Sequence, residues 1–377
     1  MIMYDSYQNM LTFIILIFTY FLVFSFCCRQ KRDIKVITLL FLWHSFFSFV
    51  YYSFTLSNPA DAIGYYRRSF YSDFVFYPGT PFIVNISSMF TKTIEASYLN
   101  VTLIFNIFGL LGLAIFYLTI KGYLKEMSRY WVMIFFIPSM SFWSAGLGKD
   151  AISFFSTCLF LYAIAIKKRN FLLISISFFF MFMVRPHIAF MMLISYIVYF
   201  IIKAKINLVF KLLTLPVIAI GLVVSLSFVQ QYVGLEDASL GDVGDYVDGR
   251  QNVNQGGGSS VDIASMSYPM QMFTYVFRPL PFEAHSAVAL FSSIENTIIL
   301  FLFIYIVYKS KFNFRSFIYN ENLWLFTYVF LTCTILALTT ANLGIATRQK
   351  WMFMPVLIYL LIYAFYKYKI NNTRIYK

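Results

Sequence analysis

The sequence predicts an all-α fold: a polytopic transmembrane helical protein of about eleven spans. It forms a single integral membrane domain over residues 1–377, with one large external loop at 229–285. Three observations carry this. Of 377 residues, 60% are hydrophobic, 21% aromatic and only 12% charged, against about 25% charged in a soluble domain. The apolar residues come in runs near ~20, the length that crosses a ~30 Å hydrocarbon core. Short basic clusters separate the runs, where orientation signals belong. A β-barrel would instead show short alternating segments. The net charge of +13 therefore belongs to topology, and no nucleic-acid partner is expected.

Apolar length places the spans. The first covers about Met10–Cys27 and is followed by RQKRDIK. The second, about Val36–Leu56, leads to SNPADAIGYYRRSFYSDFVFYPGTP. A semi-polar stretch, Phe82–Ser97, reads as an amphipathic or partly inserted helix. The third span is about Tyr98–Ile120. The fourth, Tyr130–Ser144, is interrupted by Pro138, and the fifth runs from Ala151 to KKRN. The sixth and seventh, Phe171–Val184 and Ile188–Ile202, flank the motif VRPH. The eighth is about Asn207–Phe228, the ninth Ser286–Tyr308, the tenth Leu323–Thr340 and the eleventh Trp351–Tyr366. The four cysteines (Cys27, Cys28, Cys158 and Cys333) lie in or at the end of apolar runs without metal-ligand spacing, and read as small hydrophobes. Neither a metal nor a cofactor is expected.

Alternate connections fall on alternate sides. Twenty of the 29 basic residues collect on one side, which the positive-inside rule makes cytoplasmic. The amino terminus and the long loop are then outside and the carboxyl terminus inside. The loop has two halves. Gln230–Asp262 is acidic and glycine-rich, with a flexible joint at Gly256–Ser260. Tyr268–His285, ending FRPLPFEAH, returns toward the bilayer as a proline-fixed extended segment.

Nine basic residues oppose the rule: Arg67, Arg68, Lys92, Lys149, Arg185, Arg250, Arg278, Arg348 and Lys350. A charge near hydrocarbon costs about 2.5–3.5 kcal/mol at a helix centre and marks a functional site by default. Snorkelling to lipid phosphate suits Lys92 and Lys350; for Arg185 and Arg278 a functional role is the stronger reading. Arg185 and His187 flank the proline of VRPH, at a re-entrant turn or shallow outside connection. Glu283 is placed either to pair with Arg278 or to act as a base beside His285. Asp61, Arg67 and Arg68 occupy the first external loop. Lys149 and Asp150 begin the fifth span, where an aspartate is favoured by about 0.3–1 kcal/mol. Glu295, inside the ninth span, needs a partner or a wet cavity, and an arginine from one of the outside loops would serve. Arginine forks match phosphate oxygens, and the aromatic residues suit sugar rings and head groups. A lipid-linked pyrophosphate glycan would use all of these.

In architecture, and in the patches PSMSFWSAGLGKDAISFF, VRPHIAF and FRPLPFEAHSAVALFSSIEN, the chain resembles the oligosaccharide repeat-unit polymerases, including bacterial O-antigen polymerases. The resemblance implies a GT-C-like or polymerase-like fold in the bacterial inner membrane, with the long loop in the periplasm. It implies a glycosyltransferase of surface polysaccharide (lipopolysaccharide) biosynthesis. Such an enzyme moves an undecaprenyl-pyrophosphate-linked glycan onto a lipid-linked repeat unit, and a chain-length regulator protein is an implied partner. Arg185, Arg278 and Arg348 would hold pyrophosphate, with Arg67, Arg68, Lys149, Asp150 and Glu295 around the substrate. His187 or Glu283, then Asp61 and His285, would take the acceptor proton. Two other readings use the same residues: a transferase of single sugars from a polyprenyl phosphate, with Asp61 as base, and a non-enzymatic lipid-linked oligosaccharide flippase.

Overall fold

A computed structural model describes residues 4–28, 30–166, 170–203, 216, 259–284, 287–311 and 314–375. Among these the chain is helical, with no strand beyond one isolated bridge between Ser260 and Asn342. It divides into two compact units, Met1–Arg185 and Pro186–Lys377.

The first unit holds α1 (Ser6–Cys27), α2 (Lys31–Ser57), α3 (Asp61–Arg68), α4 (Thr80–Thr93), α5 (Tyr98–Leu124), α6 (Pro138–Ser144), α7 (Lys149–Ala165) and α8 (Phe171–Val184). Side-chain bonds fix the helix directions. Gln8 at the start of α1 accepts from Ser97 N and bonds Asn100 at the start of α5 (both 2.8 Å). Asp33 at the start of α2 pairs with Lys121 near the end of α5 at 2.6 Å. So α1 runs parallel to α5, and α2 runs against both. Within lipid the apolar effect between helices is weak, and packing and interhelical hydrogen bonds take over. Phe108, Phe155 and Phe180 form an aromatic contact joining α5, α7 and α8. Ser156 and Ser177 exchange bonds of 2.6 and 3.0 Å between α7 and α8, each worth about 0.6–2 kcal/mol in such surroundings.

The second unit holds α9 (Pro186–Lys203), α10 (Tyr268–Phe277), α11 (Ala287–Lys309), α12 (Asn322–Thr339), α13 (Leu343–Gln349) and α14 (Met354–Ile375). Trp324 of α12 stacks on Tyr199 of α9 at 5.8 Å and meets Tyr196 in a tilted contact at 4.7 Å. Tyr328 donates to the Met352 carbonyl at 2.7 Å.

Among the described residues, six helices are long and apolar enough to cross a membrane: Ser6–Cys27, Asp33–Ser57, Tyr98–Leu124, Pro186–Lys203, Ala289–Lys309 and Asn322–Thr339. Leu343–Met352 and Met354–Ile370 form a further pair, bent by 62°. A helical membrane-embedded protein accounts for this. Several expected spans take other forms. The fourth is a 3₁₀ segment, Arg129–Phe136, joined to the short α6. Pro138 forces Ile137 out of the helical region, and Ile137 sits at φ −63°, ψ 119°. The 14-residue α8 spans only about 21 Å at 1.5 Å per residue. The eleventh span does not start plainly at Trp351: ATRQKW is helical and precedes the bend. The amphipathic stretch is α4, entered through Gly79 at φ 88°, a conformation glycine tolerates best. Apart from Pro216, the eighth span and loop residues 229–258 lie outside the described residues. Cys27, Cys158 and Cys333 are buried. Burial, then the Asp33 carboxylate, pushes the half-buried Cys28 thiol up from its ordinary value.

Candidate functional site

Two polar centres stand out, one in each unit. In the first, the α7–α8 hairpin brings together residues 35 positions apart. Arg185 caps the end of α8, its N–H bonded to the Met181 carbonyl at 2.7 Å. Its Nη2 donates to Oδ1 of Asp150, in the first turn of α7, at 2.7 Å. Both side chains are about nine-tenths buried. Nε of Arg185 is buried and has no hydrogen-bond partner. A buried donor left unpaired costs about 1–3 kcal/mol. Lys149, beside Asp150, is half-buried.

The loop that delivers Lys149 and Asp150 is built with little tolerance. His44, fully buried on α2, bonds Asn106 Oδ1 of α5 through Nδ1 (2.5 Å) and Ser144 Oγ of α6 through Nε2 (2.9 Å). Ser48 donates to the Ala145 carbonyl at 3.0 Å. A Cβ at Gly109 would collide with the Ser144 carbonyl, and one at Gly146 with the Tyr51 ring. This His44–Asn106–Ser144 knot was missed by sequence reasoning. Its signal was a polar residue inside each of three apolar runs. Asp61, Arg67 and Arg68 lie on α3, all exposed, with Tyr65 and Tyr66 on its buried face.

In the second unit the returning half of the loop is partly helical rather than extended throughout. Tyr268–Phe277 forms α10, and only Arg278–Leu280 is extended before a 3₁₀ turn at Pro281–Glu283. Val261 and Leu343 exchange backbone bonds with Ala341 and Ser259 (both 2.9 Å), tying the end of the loop to the start of α13. Arg278 donates to Glu283 Oε1 from Nε (2.7 Å) and Nη2 (2.5 Å). The other Glu283 oxygen accepts from Leu280 N at 2.7 Å. Both carboxylate oxygens are thus engaged. Arg278 Nη1 reaches Thr274 at 3.4 Å.

Beneath this segment lies the second group. Lys350 is 1% exposed, and Nζ donates to Oδ1 of the fully buried Asn296. The charge of the buried Glu295 acts on it. Snorkelling therefore does not describe Lys350. Lys92, by contrast, is exposed and bonds the Ser72 carbonyl at 2.8 Å. Arg348 is half-buried in the last turn of α13, and His187 is half-buried in the first turn of α9. His285 lies outside the described residues. Among the described residues, no cluster of three or more His, Cys, Asp or Glu is placed to hold a metal ion.

No protein-family model, curated protein or solved structure matches the chain.

What this arrangement can do chemically is bind anions. Each unit presents an arginine that is held by one carboxylate, at a helix end or in an extended segment. Carboxylate pairing orients a guanidinium while leaving some of its five N–H donors to serve an oxyanion.

Proposed function

We propose that the protein is a membrane-embedded polysaccharide polymerase. It would join an undecaprenyl-pyrophosphate-linked glycan to a lipid-linked repeat unit at the periplasmic face of the bacterial inner membrane. The observation that carries this reading is Arg185: a buried guanidinium in a lipid-embedded protein, held by Asp150 through one nitrogen and with Nε unsatisfied. Arginine within membrane helices is rare and marks a substrate path by default. Phosphate oxygens are the ligand its planar fork fits best. The reaction has two lipid-pyrophosphate substrates, and each unit carries an arginine held by a carboxylate.

In this reading the acceptor hydroxyl attacks the anomeric carbon of the donor glycan. The bond from that carbon to pyrophosphate oxygen breaks, and undecaprenyl pyrophosphate leaves. Arg185 and Arg278, each within its own unit, serve phosphate oxygens, the kind of charge stabilisation a departing pyrophosphate needs, with Arg348 assisting. We assign the base to His187, because Glu283 already spends both oxygens on Arg278 and Leu280. Imidazole is suited to proton transfer near neutral pH.

The test is a gel of the surface polysaccharide from cells carrying Arg185→Ala or Arg278→Ala in place of the native chain. Lipid core bearing one repeat unit, with the protein still in the membrane, is expected. Normal long chains in both variants would remove the phosphate-binding assignment. Complete absence of the unit would point to a flippase, and a shifted but full ladder to a transferase of single sugars.

A further inference from the structure

The group around Lys350 does more than balance charge. Lys350 lies in the 3₁₀ turn between α13 and α14, and its ammonium has three donors and no acceptor. It bonds Oδ1 of Asn296, while Nδ2 of the same side chain donates to the Pro279 carbonyl at 3.3 Å. Pro279 is buried and adjoins Arg278. Having no N–H, it offers the carbonyl as its sole hydrogen-bonding group.

An asparagine amide could face either way in such a setting, since oxygen and nitrogen have the same shape. The cation removes that freedom. It draws the oxygen to itself and turns the NH₂ toward Pro279. Glu295, the neighbour of Asn296 on α11, adds negative charge that favours the ammonium. The Trp351 ring, 5.8 Å from Nζ, adds a cation–π contact.

We propose that Lys350 is a positioning residue for Arg278. Acting through Asn296, it fixes the carbonyl that follows Arg278 and so anchors the FRPLPFE segment to α11. The consequence for catalysis rests on reading Arg278 as a phosphate-binding residue; the anchoring itself does not.

The experiment labels a cysteine at position 280, which is half-buried in that segment. Full-length Leu280→Cys protein in permeabilised cell membranes is treated with a membrane-impermeant maleimide. The rate is read above that of the chain lacking this cysteine. Lys350→Met removes the donor. Asn296→Asp keeps an acceptor for Lys350 but replaces the donor to Pro279 by an oxygen, at nearly constant volume.

Loss of one buried hydrogen bond corresponds to roughly a tenfold rise in opening. We expect about that increase in labelling rate for Lys350→Met and Asn296→Asp. Parent-like rates in Lys350→Met and Asn296→Asp would overturn the proposal. So would a parent-like rate in Asn296→Asp alone, since charge balance with Glu295 would then be the whole role. Each comparison decides alone if one variant fails to accumulate. Normal polysaccharide in Arg278→Ala would end the phosphate reading and leave the labelling result standing.

Discussion

Arg185 and Asp150 show how far a single side chain can be read. Each was legible as a charge out of place, Arg185 from VRPH and Asp150 from GKD. Their pairing was not, because it depends on the register of the α7–α8 hairpin between residues 35 positions apart. Asp150 also keeps the place its sequence gave it, in the first turn of α7. With both side chains about nine-tenths buried, removing one charge strands the other, at a cost of roughly 3–5 kcal/mol. Asp150→Asn should therefore lower the thermal midpoint of the detergent-solubilised protein by several degrees, while Asp61→Asn, on the exposed start of α3, should leave it unchanged. Equal midpoints for both variants would mean that the pair is not held in solution. Glu295 and Lys350 make the opposite case. The need of Glu295 for a partner was visible, but its partner was sought among the arginines. Nothing in ATRQKW says that its lysine turns inward, because that follows from the bend between α13 and α14.

At the scale of elements, the junction from α6 to α7 is the least tolerant part of the first unit. Its sequence, SFWSAGLGKD, ends the expected fourth span and places Lys149 and Asp150 where the fifth begins. Pro138 did announce the break that makes this region a 3₁₀ segment and a short helix rather than one continuous crossing. The register of that broken element depends on contacts that hydropathy cannot report: the His44–Asn106–Ser144 knot and the close approach at Gly109. Overpacking a filled site typically costs about 1–3 kcal/mol, and here the obstruction is a backbone carbonyl that cannot rotate away. Gly109→Ala should reduce accumulation in the membrane several-fold on a quantitative blot. Gly122→Ala, on the same helix with open space around its Cβ position, should accumulate normally. Equal accumulation of the two would show that the α5–α6 contact is looser than described.

For the whole molecule, composition and the length of apolar runs were enough to read an all-helical, membrane-embedded chain. Span number was harder, because helices as short as α8 carry apolar runs without the length to cross unaided. The shared ends of α1, α2 and α5, fixed by Gln8 with Asn100 and by Asp33 with Lys121, agree with the alternation that the basic clusters imply for those three helices. The central claim concerns chemistry, and it is tested most directly with the purified protein in liposomes and a synthetic undecaprenyl-pyrophosphate-linked repeat unit. The account predicts a ladder of lengthening lipid-linked glycans, with one undecaprenyl pyrophosphate released for each bond formed, and loss of both products in Arg278→Ala. Intact starting lipid with neither ladder nor release, from protein that is folded and inserted, would contradict it.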